Sequence, residues 1–376
     1  MKPLLKPQCP NFSSGPCAKR PGYQLSELEL HTLGRSHRSQ VGRAQLAEAI
    51  RLTEQILNLP PGYKVGIVPG SDTGAMEMAM WSLLGPKPVD VFSWESFGKG
   101  WFLDVSEQLK LAEVYHFHSD YGLLPDFSQA DPEHDCIFTW NGTTSGVALA
   151  NADWISSQRS GLTLCDATSA VFAMPLDWQK LDVVTYSWQK VLGGEGAHGV
   201  IILSPRAVER LENYQPSWPM PKIFRLTQGG KLIEGIFKGE TINTPSMLCV
   251  ADYIDALRWL ESLGGLSASI EKSRQNLHQI SQFVSAHPWI AFLAQQPETI
   301  SNTSVCLTLQ ATAEQVDTII GLLEQQQVAY DIGAYRDAPA GLRIWCGATV
   351  EQEDLRRLLL WLSWAYQKVC GGDKRV

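Results

Sequence analysis

Charge is scarce in this chain. Asp, Glu, Lys and Arg make up 19% of its 376 residues, and their balance is acidic, at −8. Without a basic excess, nucleic acid is not expected as the main partner. Long apolar runs are missing too, and none approaches the length of a membrane span. The opening MKPLLKPQCPNF is broken by prolines before the apolar core of a signal peptide could form. The expectation is a cytoplasmic protein. Its eight cysteines (Cys9, Cys17, Cys136, Cys165, Cys249, Cys306, Cys346 and Cys370) contain no CxxC pair, which favours reduced, buried thiols over disulfides or zinc. No His/Cys/carboxylate cluster has metal spacing, so no metal is expected. Neither a GK[ST] loop nor a GxGxxG fingerprint occurs, so nucleotide binding loses ground.

What remains is a globular composition, 44% hydrophobic, in a chain long enough for a large domain and a smaller one. Residues 1–22 are rich in Gly, Pro and Ser and read as an extended arm outside the core. An amphipathic helix is expected over Arg43–Leu57. Strands are expected at Val65–Val68, Val89–Ser93, Val114–Phe117, Cys136–Trp140, Leu162–Cys165, Val183–Ser187 and Val200–Leu203. Strands alternating with helices indicate an α/β fold with a mostly parallel sheet. Residues 214–240 read as a long excursion, not a packed element. A helix through Leu263, stopped by Gly264-Gly265, precedes a compact α+β unit with strands at Val305–Leu309, Val328–Asp331 and Leu342–Trp345. The expected division is an arm over 1–15, a large domain over 16–265 and a small domain over 266–376.

One stretch organises the chemistry. In Leu181–Gly199 a β-branched and aromatic strand delivers a single lysine, Lys190, into a run of glycines. Taken alone, Lys190 reads as an ordinary strand-end lysine with its head in solvent. Its context is more specific. Ligands of parallel α/β sheets bind outside the carboxyl ends of the strands, and Thr73, Trp101, Thr143, Asp166 and Lys190 all fall just after predicted strands. The turn Ser71-Asp72-Thr73-Gly74 opens a helix, where free N–H groups suit a phosphate, although plain N-capping would use the same residue types. The aromatics of WESFGKGW are either core or a platform for a flat ring. Arg35, His37 and Arg38 are either solvated surface or an anion clamp. Arg343, inside a strand, calls for an anionic partner.

A lysine, an aspartate at a neighbouring strand end, an aromatic, a hydroxyl and a helix N-terminus are what pyridoxal phosphate requires. In that arrangement Lys190 forms the Schiff base and Asp166 keeps the ring nitrogen protonated. Trp101 stacks on the ring, Thr143 bonds its hydroxyl, and the phosphate sits near Thr73 with Thr168 and Gln189 close by.

The stretches NFSSGP, SHRS, WNGTTSG, CDATSA, SWQK and TINTPSML together resemble the phosphoserine aminotransferases, a family of class V, fold-type I pyridoxal-phosphate enzymes. The resemblance covers the whole chain, and PGSDTGAMEMAMW, WESFGKGW and DATSAVFAMPLDW are similar to a divergent branch of some bacteria and archaea. It implies a seven-stranded sheet in the large domain and an α+β small domain. It implies that Lys190 is the Schiff-base lysine, with Gln189 and Thr168 on the phosphate, Asp166 on the ring nitrogen and Thr143 in the family's Asn-x-Thr turn. Asn243 and Thr244 match a pair that reaches the neighbouring subunit's phosphate, implying a homodimer. His37 and Arg38 match the pair receiving the substrate's distal anion, and Arg343 the arginine holding its α-carboxylate.

The chain departs from the family in two places. Ser71, Thr73 and Gly74 stand in the phosphate loop where a Gly-Gly-x-Arg-like sequence is usual, and the usual His-Arg pair of the small domain leaves Arg336 alone. The implied reaction is ping-pong transfer from L-glutamate to 3-phosphohydroxypyruvate, with the phosphohydroxythreonine step of vitamin B6 synthesis as a side activity. The alternatives are a serine– or alanine–glyoxylate aminotransferase, or a non-catalytic protein that binds a phosphorylated metabolite.

Overall fold

Local signals set the first elements. Ser39 caps α1 (Gln40–Leu57) by accepting from the Gly42 N–H, and Asn58 ends it in the left-handed conformation. The computed structural model describes residues 1–371. After β1 (Lys64–Pro69) comes α2 (Ser71–Leu83), then β2 (Val89–Ser93) and α3 (Ser96–Leu103), which runs into a π-helical turn over Asp104–Gln108. β3 (Val114–His118) and β4 (Asp135–Thr139) follow, and β5 (Asn141–Gly142) folds back on β6 (Val147–Ala148). β7 (Thr163–Asp166), β8 (Val183–Ser187) and β9 (His198–Leu203) complete the main sheet.

That sheet has seven strands in the order β1-β9-β8-β7-β4-β2-β3. β9 runs antiparallel to both its neighbours, and the other pairs are parallel. The expected mostly parallel α/β sheet is what forms. β2, β4, β7 and β8 are buried at every position, as strands covered on both faces must be. Their carboxyl ends therefore open on one edge, and the residues that follow them meet there.

α4 (Pro205–Asn213) leads into the 214–240 stretch, which is more ordered than its composition predicts. β10 (Thr227–Gln228) pairs with β11 (Lys231–Leu232), and Phe224, Leu226, Ile236 and Phe237 are buried. Phe237 and Ile236 lie close over the Gly66 backbone, where a Cβ would stand 3.1 Å and 3.2 Å from them. Apolar residues scattered between prolines and glycines carry no periodicity, so this packing is invisible to pattern reading.

α5 (Met247–Leu263) packs on α1, and α6 (Gly265–Ala286) packs on both α5 and α8. The last unit is a three-stranded antiparallel sheet of β12 (Ile290–Phe292), β13 (Ser304–Leu309) and β14 (Leu342–Trp345), covered by α7 (Ala313–Gln325) and α8 (Gln352–Cys370). The strand expected at Val328–Asp331 does not form. Tyr330 makes an isolated bridge to Asn11.

That bridge exposes a second correction. The arm is not outside the core. Phe12 is wholly buried, and its carbonyl accepts from the Trp345 N–H at 2.9 Å. The Gln8 and Cys9 N–H groups donate to the Asp354 carboxylate on α8, and Trp361 Nε1 donates to the Leu5 carbonyl. The arm is strapped along the small sheet and then crosses to the edge of the large one.

Candidate active site

Lys190 follows β8 and is buried. Its Nζ donates to the Ser14 carbonyl of the arm. Burial lowers the pKa of the amine, and the Arg343 guanidinium lowers it further against the pull of Cys17, Asp166 and Glu95. The arm stays close beyond this contact, with the Cys17 N–H donating to the Gln189 carbonyl at 2.9 Å. Gly15 lies over the lysine, and a Cβ there would overlap Nζ and stand 2.9 Å from Cε. The arm and the lysine thus form one structure, with glycine required at the crossing.

Asp166 is the last residue of β7, in register with Thr185 of β8 and Thr139 of β4. Its carboxylate accepts from the Thr168 N–H at 3.0 Å and from Trp101 Nε1 at 3.2 Å. Trp101, on α3, is therefore positioned by its indole nitrogen as well as by packing. Asp72, in the first turn of α2, is buried, and burial and the nearby Asp166 hold its carboxyl well above the ordinary range. In sequence Asp72 reads as an N-capping residue. The structure instead buries it near Asp166, a placement that depends on α2 packing over β8 and β7.

The β5–β6 turn supplies the opposite wall. Thr143 Oγ1 is 2.7 Å from Ser169 Oγ, and the Thr143 carbonyl accepts from Ser304 Oγ at 2.6 Å. Ser304 also reaches Ser14 Oγ at 3.1 Å, tying turn, small sheet and arm together. Arg343 enters from β14, half-buried, with its guanidinium 5.5 Å from the Tyr335 ring centre. Arg336 is exposed and lies 5.2 Å from the same ring. The Tyr335 ring lies against both cations.

Lys190, Asp166, Trp101, Thr143, Thr168, Gln189 and Arg343 therefore collect around one edge. Ser71, Thr73 and Gly74 lie at the α2 start. Ser71 has φ 54° after the left-handed Gly70, and Gly74 has no room for a side chain against the Pro69 carbonyl. Thr73 itself is exposed. His37, with its pKa lowered by burial and by Arg38, is covered, while Arg38, Asn243 and Thr244 face outward. No contact within the chain joins these four to Lys190 among the described residues. Of the glycines after Lys190, Gly193 and Gly194 crowd the Ala18 carbonyl and Trp188, whereas Gly196 is open. Sequence reasoning missed Ser14, Gly15, Asp72 and Glu95. NFSSGP and SDTG stood in plain view, but as a loop and a cap.

Residues 136–344 match the family described as aminotransferase class-V. Over 369 residues the chain is 58% identical to a phosphoserine aminotransferase of Methanosarcina barkeri, covering 98% of this chain and 100% of that protein. Among solved structures, a phosphoserine aminotransferase of Bacillus circulans subsp. alkalophilus matches with TM-score 0.80 at 19% identity, over 96% of this chain and 99% of that one. The ureidoglycine–glyoxylate aminotransferase of Bacillus subtilis matches with TM-score 0.79 at 14% identity, over 98% and 95%. These structural likenesses show the fold alone, and it is shared by enzymes of different acceptors.

Proposed function

The chain belongs to the class-V aminotransferases and, within them, to the phosphoserine aminotransferases, and we propose that the residues gathered at the sheet edge divide the work of that reaction among themselves. The enzyme transfers the amino group of L-glutamate to 3-phosphohydroxypyruvate with pyridoxal phosphate, giving O-phospho-L-serine and 2-oxoglutarate. The observation that carries this reading is the buried Lys190 amine, set between Asp166 and Arg343 and depressed in pKa.

The residues fit the cofactor. Thr168 Oγ1 and Gln189 Oε1 are buried polar atoms without a hydrogen-bond partner among the described residues, and both lie beside Lys190 or Asp166 in the chain. The Thr168 hydroxyl can donate to a phosphate, as can the N–H groups of the glycine-bordered N-terminus of α2 with Ser71, Thr73 and Gly74, whereas Gln189 would meet it through its amide Nε2 and not its oxygen. Asp166 suits a protonated ring nitrogen. When bound, pyridoxal phosphate supplies a carbonyl that captures the amino group and an electron-poor ring that acidifies the substrate α-carbon. Lys190 takes the proton from that α-carbon and returns it, and its lowered pKa keeps a share of the amine free to do so. Arg343 holds the substrate α-carboxylate, and its Nε, buried without a partner, is available for that pairing. Trp101 fixes Asp166 and borders the ring, and Thr143 is held in place by Ser169 and Ser304.

The covered His37 and the outward-facing Arg38, Asn243 and Thr244 are read as serving the site of a second copy in a homodimer. Arg336 is read as the second cation for the distal anion. A cytoplasmic setting agrees with eight free thiols, and no helix among the described residues is long and apolar enough to cross a membrane.

Steady-state kinetics with glutamate and either 3-phosphohydroxypyruvate or glyoxylate tests the substrate assignment. A clear preference for the phosphorylated acceptor is expected, and equal or better use of glyoxylate overturns it. Lys190→Ala should abolish both the visible absorbance of the bound cofactor and turnover.

A further inference from the structure

Three aromatics stand in WESFGKGW, and two of them have a place in the structure described above. Trp94 is buried and donates from Nε1 to the Val147 carbonyl at 2.9 Å, and Trp101 donates to Asp166. Phe97 is left over. It lies in the first turn of α3, which the buried Glu95 caps by accepting from the Gly98 N–H at 2.8 Å, and it is 38% exposed. A lone exposed aromatic calls for no explanation, but this one has a partner. Its ring centre lies 5.7 Å from that of Tyr335, with the two planes tilted by 42°.

Tyr335 belongs to the loop that precedes β14. The loop is closed on itself, with the Ala334 N–H donating to the Gly341 carbonyl at 3.2 Å and the Ala338 N–H to the Tyr335 carbonyl at 2.9 Å. Its one hydrogen bond to the main-sheet side among the described residues runs from Ser96 Oγ to Asp337 Oδ2 at 3.3 Å. Ser96 and Phe97, both in the first turn of α3, therefore form the seat of this loop. The loop carries Arg336, whose Nη2 donates to the Tyr335 hydroxyl at 3.1 Å and whose guanidinium lies 5.2 Å from the ring centre. Arg343 is held differently. It is fixed in β14, where its N–H donates to the Ile332 carbonyl at 2.7 Å, and its guanidinium lies 5.5 Å from the same ring centre. One ring thus sits against a cation held by a strand and a cation held by a loop.

We propose that Phe97 is a positioning residue for substrate recognition, seating Tyr335 and so setting the spacing between Arg336 and Arg343 that selects substrates with two anions. The inference rests on the reading of these arginines given above, with Arg343 on the α-carboxylate and Arg336 on the distal anion. Glutamate carries two carboxylates and 3-phosphohydroxypyruvate a carboxylate and a phosphate, so each presents one anion to each guanidinium. Two guanidiniums repel one another, and their spacing is kept by what they lean on. An arginine on an unsupported loop loses conformational freedom when it binds, which weakens affinity. With Phe97 behind Tyr335, that ordering is complete before substrate arrives. The spacing serves the bound substrate and the transition state alike, so the contact acts on KM and leaves kcat.

Steady-state kinetics of the holoenzyme compares wild type, Phe97→Ala and Phe97→Tyr. An aromatic pair changes a binding constant by about fivefold, so Phe97→Ala should raise KM for glutamate and for 3-phosphohydroxypyruvate by about that factor and keep kcat within about twofold. Phe97→Tyr keeps the ring and should restore the wild-type KM values. Unchanged KM in Phe97→Ala, a fall in kcat as large as the rise in KM, or no rescue by Phe97→Tyr overturns the proposal. Hydrogen exchange of the cofactor-free protein gives a readout independent of turnover. The Ala334 and Ala338 amides should exchange faster in Phe97→Ala, while the strands Thr163–Asp166 and Val183–Ser187 keep their wild-type rates. Equal loop exchange in the two proteins also overturns the proposal. Wild type that fails to transaminate 3-phosphohydroxypyruvate would refute the functional reading instead, and the exchange arm would still report on the seat of the loop.

Discussion

The indole N–H of Trp101 donates to Oδ2 of Asp166 at 3.2 Å, while the Thr168 N–H donates to Oδ1 at 3.0 Å. Each carboxylate oxygen is thus engaged from a different element, so the aspartate is oriented before any ligand arrives. Trp101→Phe keeps an aromatic face and removes the donor. Charge-assisted hydrogen bonds contribute about 1.5–3 kcal/mol, so kcat should fall about tenfold or more. Asp166→Ala should fall by several orders of magnitude and weaken cofactor affinity. Near-normal turnover in Asp166→Ala would remove it from the ring-nitrogen role.

Gly15→Ala should abolish activity without unfolding the protein. The new methyl would overlap the Lys190 amine, and φ of 152° is itself poorly suited to a side chain. Circular dichroism should show native secondary structure, and titration with pyridoxal phosphate should show lost or greatly weakened binding. Full cofactor binding in this variant would mean that the arm moves aside freely.

Arg343→Ala should raise KM for glutamate and for 3-phosphohydroxypyruvate alike, since both present an α-carboxylate to the same guanidinium. A bidentate pair to a carboxylate suggests a loss of about 10²-fold in kcat/KM. An effect confined to one substrate would place the α-carboxylate elsewhere. Tyr335→Leu should reproduce part of this loss, and Tyr335→Phe, which keeps the ring against both cations, should restore it.

Glu95 also makes stability depend on pH. Its folded pKa of about 7 lies above the ordinary 4.5, so the folded state holds the proton more tightly than the unfolded chain. Its contribution is intact below pH 4.5 and is lost as pH rises to about 7. At 1.36 kcal/mol per unit, the loss is about 3 kcal/mol. Urea unfolding of Glu95→Gln across this window should show the variant gaining by roughly that amount relative to wild type as pH rises. A constant difference at all pH values would mean that Glu95 titrates normally.

What could be read from the sequence follows from the range of the interactions. Val183–Ser187 and Leu342–Trp345 form strands with the predicted bounds, because β-branched and aromatic runs between turn residues are local signals. Lys190 and Asp166 were legible for the same reason, as polar residues at the ends of buried strands. Val328–Asp331 has strand composition too, but its neighbour is the arm, and one bridge to Asn11 is all that forms. Phe12 looked like a loop residue because the Trp345 that receives it is hundreds of positions away. Asp72 and Glu95 carry ordinary helix-start chemistry, and only the meeting of α2 with β7, or of the end of β2 with the β5–β6 turn, makes them buried carboxyls.

The strap from Leu5 to Gly15 also sets an order of events during synthesis. The residues of the strap are held by α8 and β14, which are made hundreds of positions later. On the ribosome the large sheet can pair its strands long before Trp345 and Trp361 emerge, and until then the strap lacks the anchors at Leu5 and Phe12 that help hold Ser14 and Gly15 over Lys190. A nascent chain is therefore a folded scaffold with an unfinished site, and emergence of α8 is the step that completes the strap.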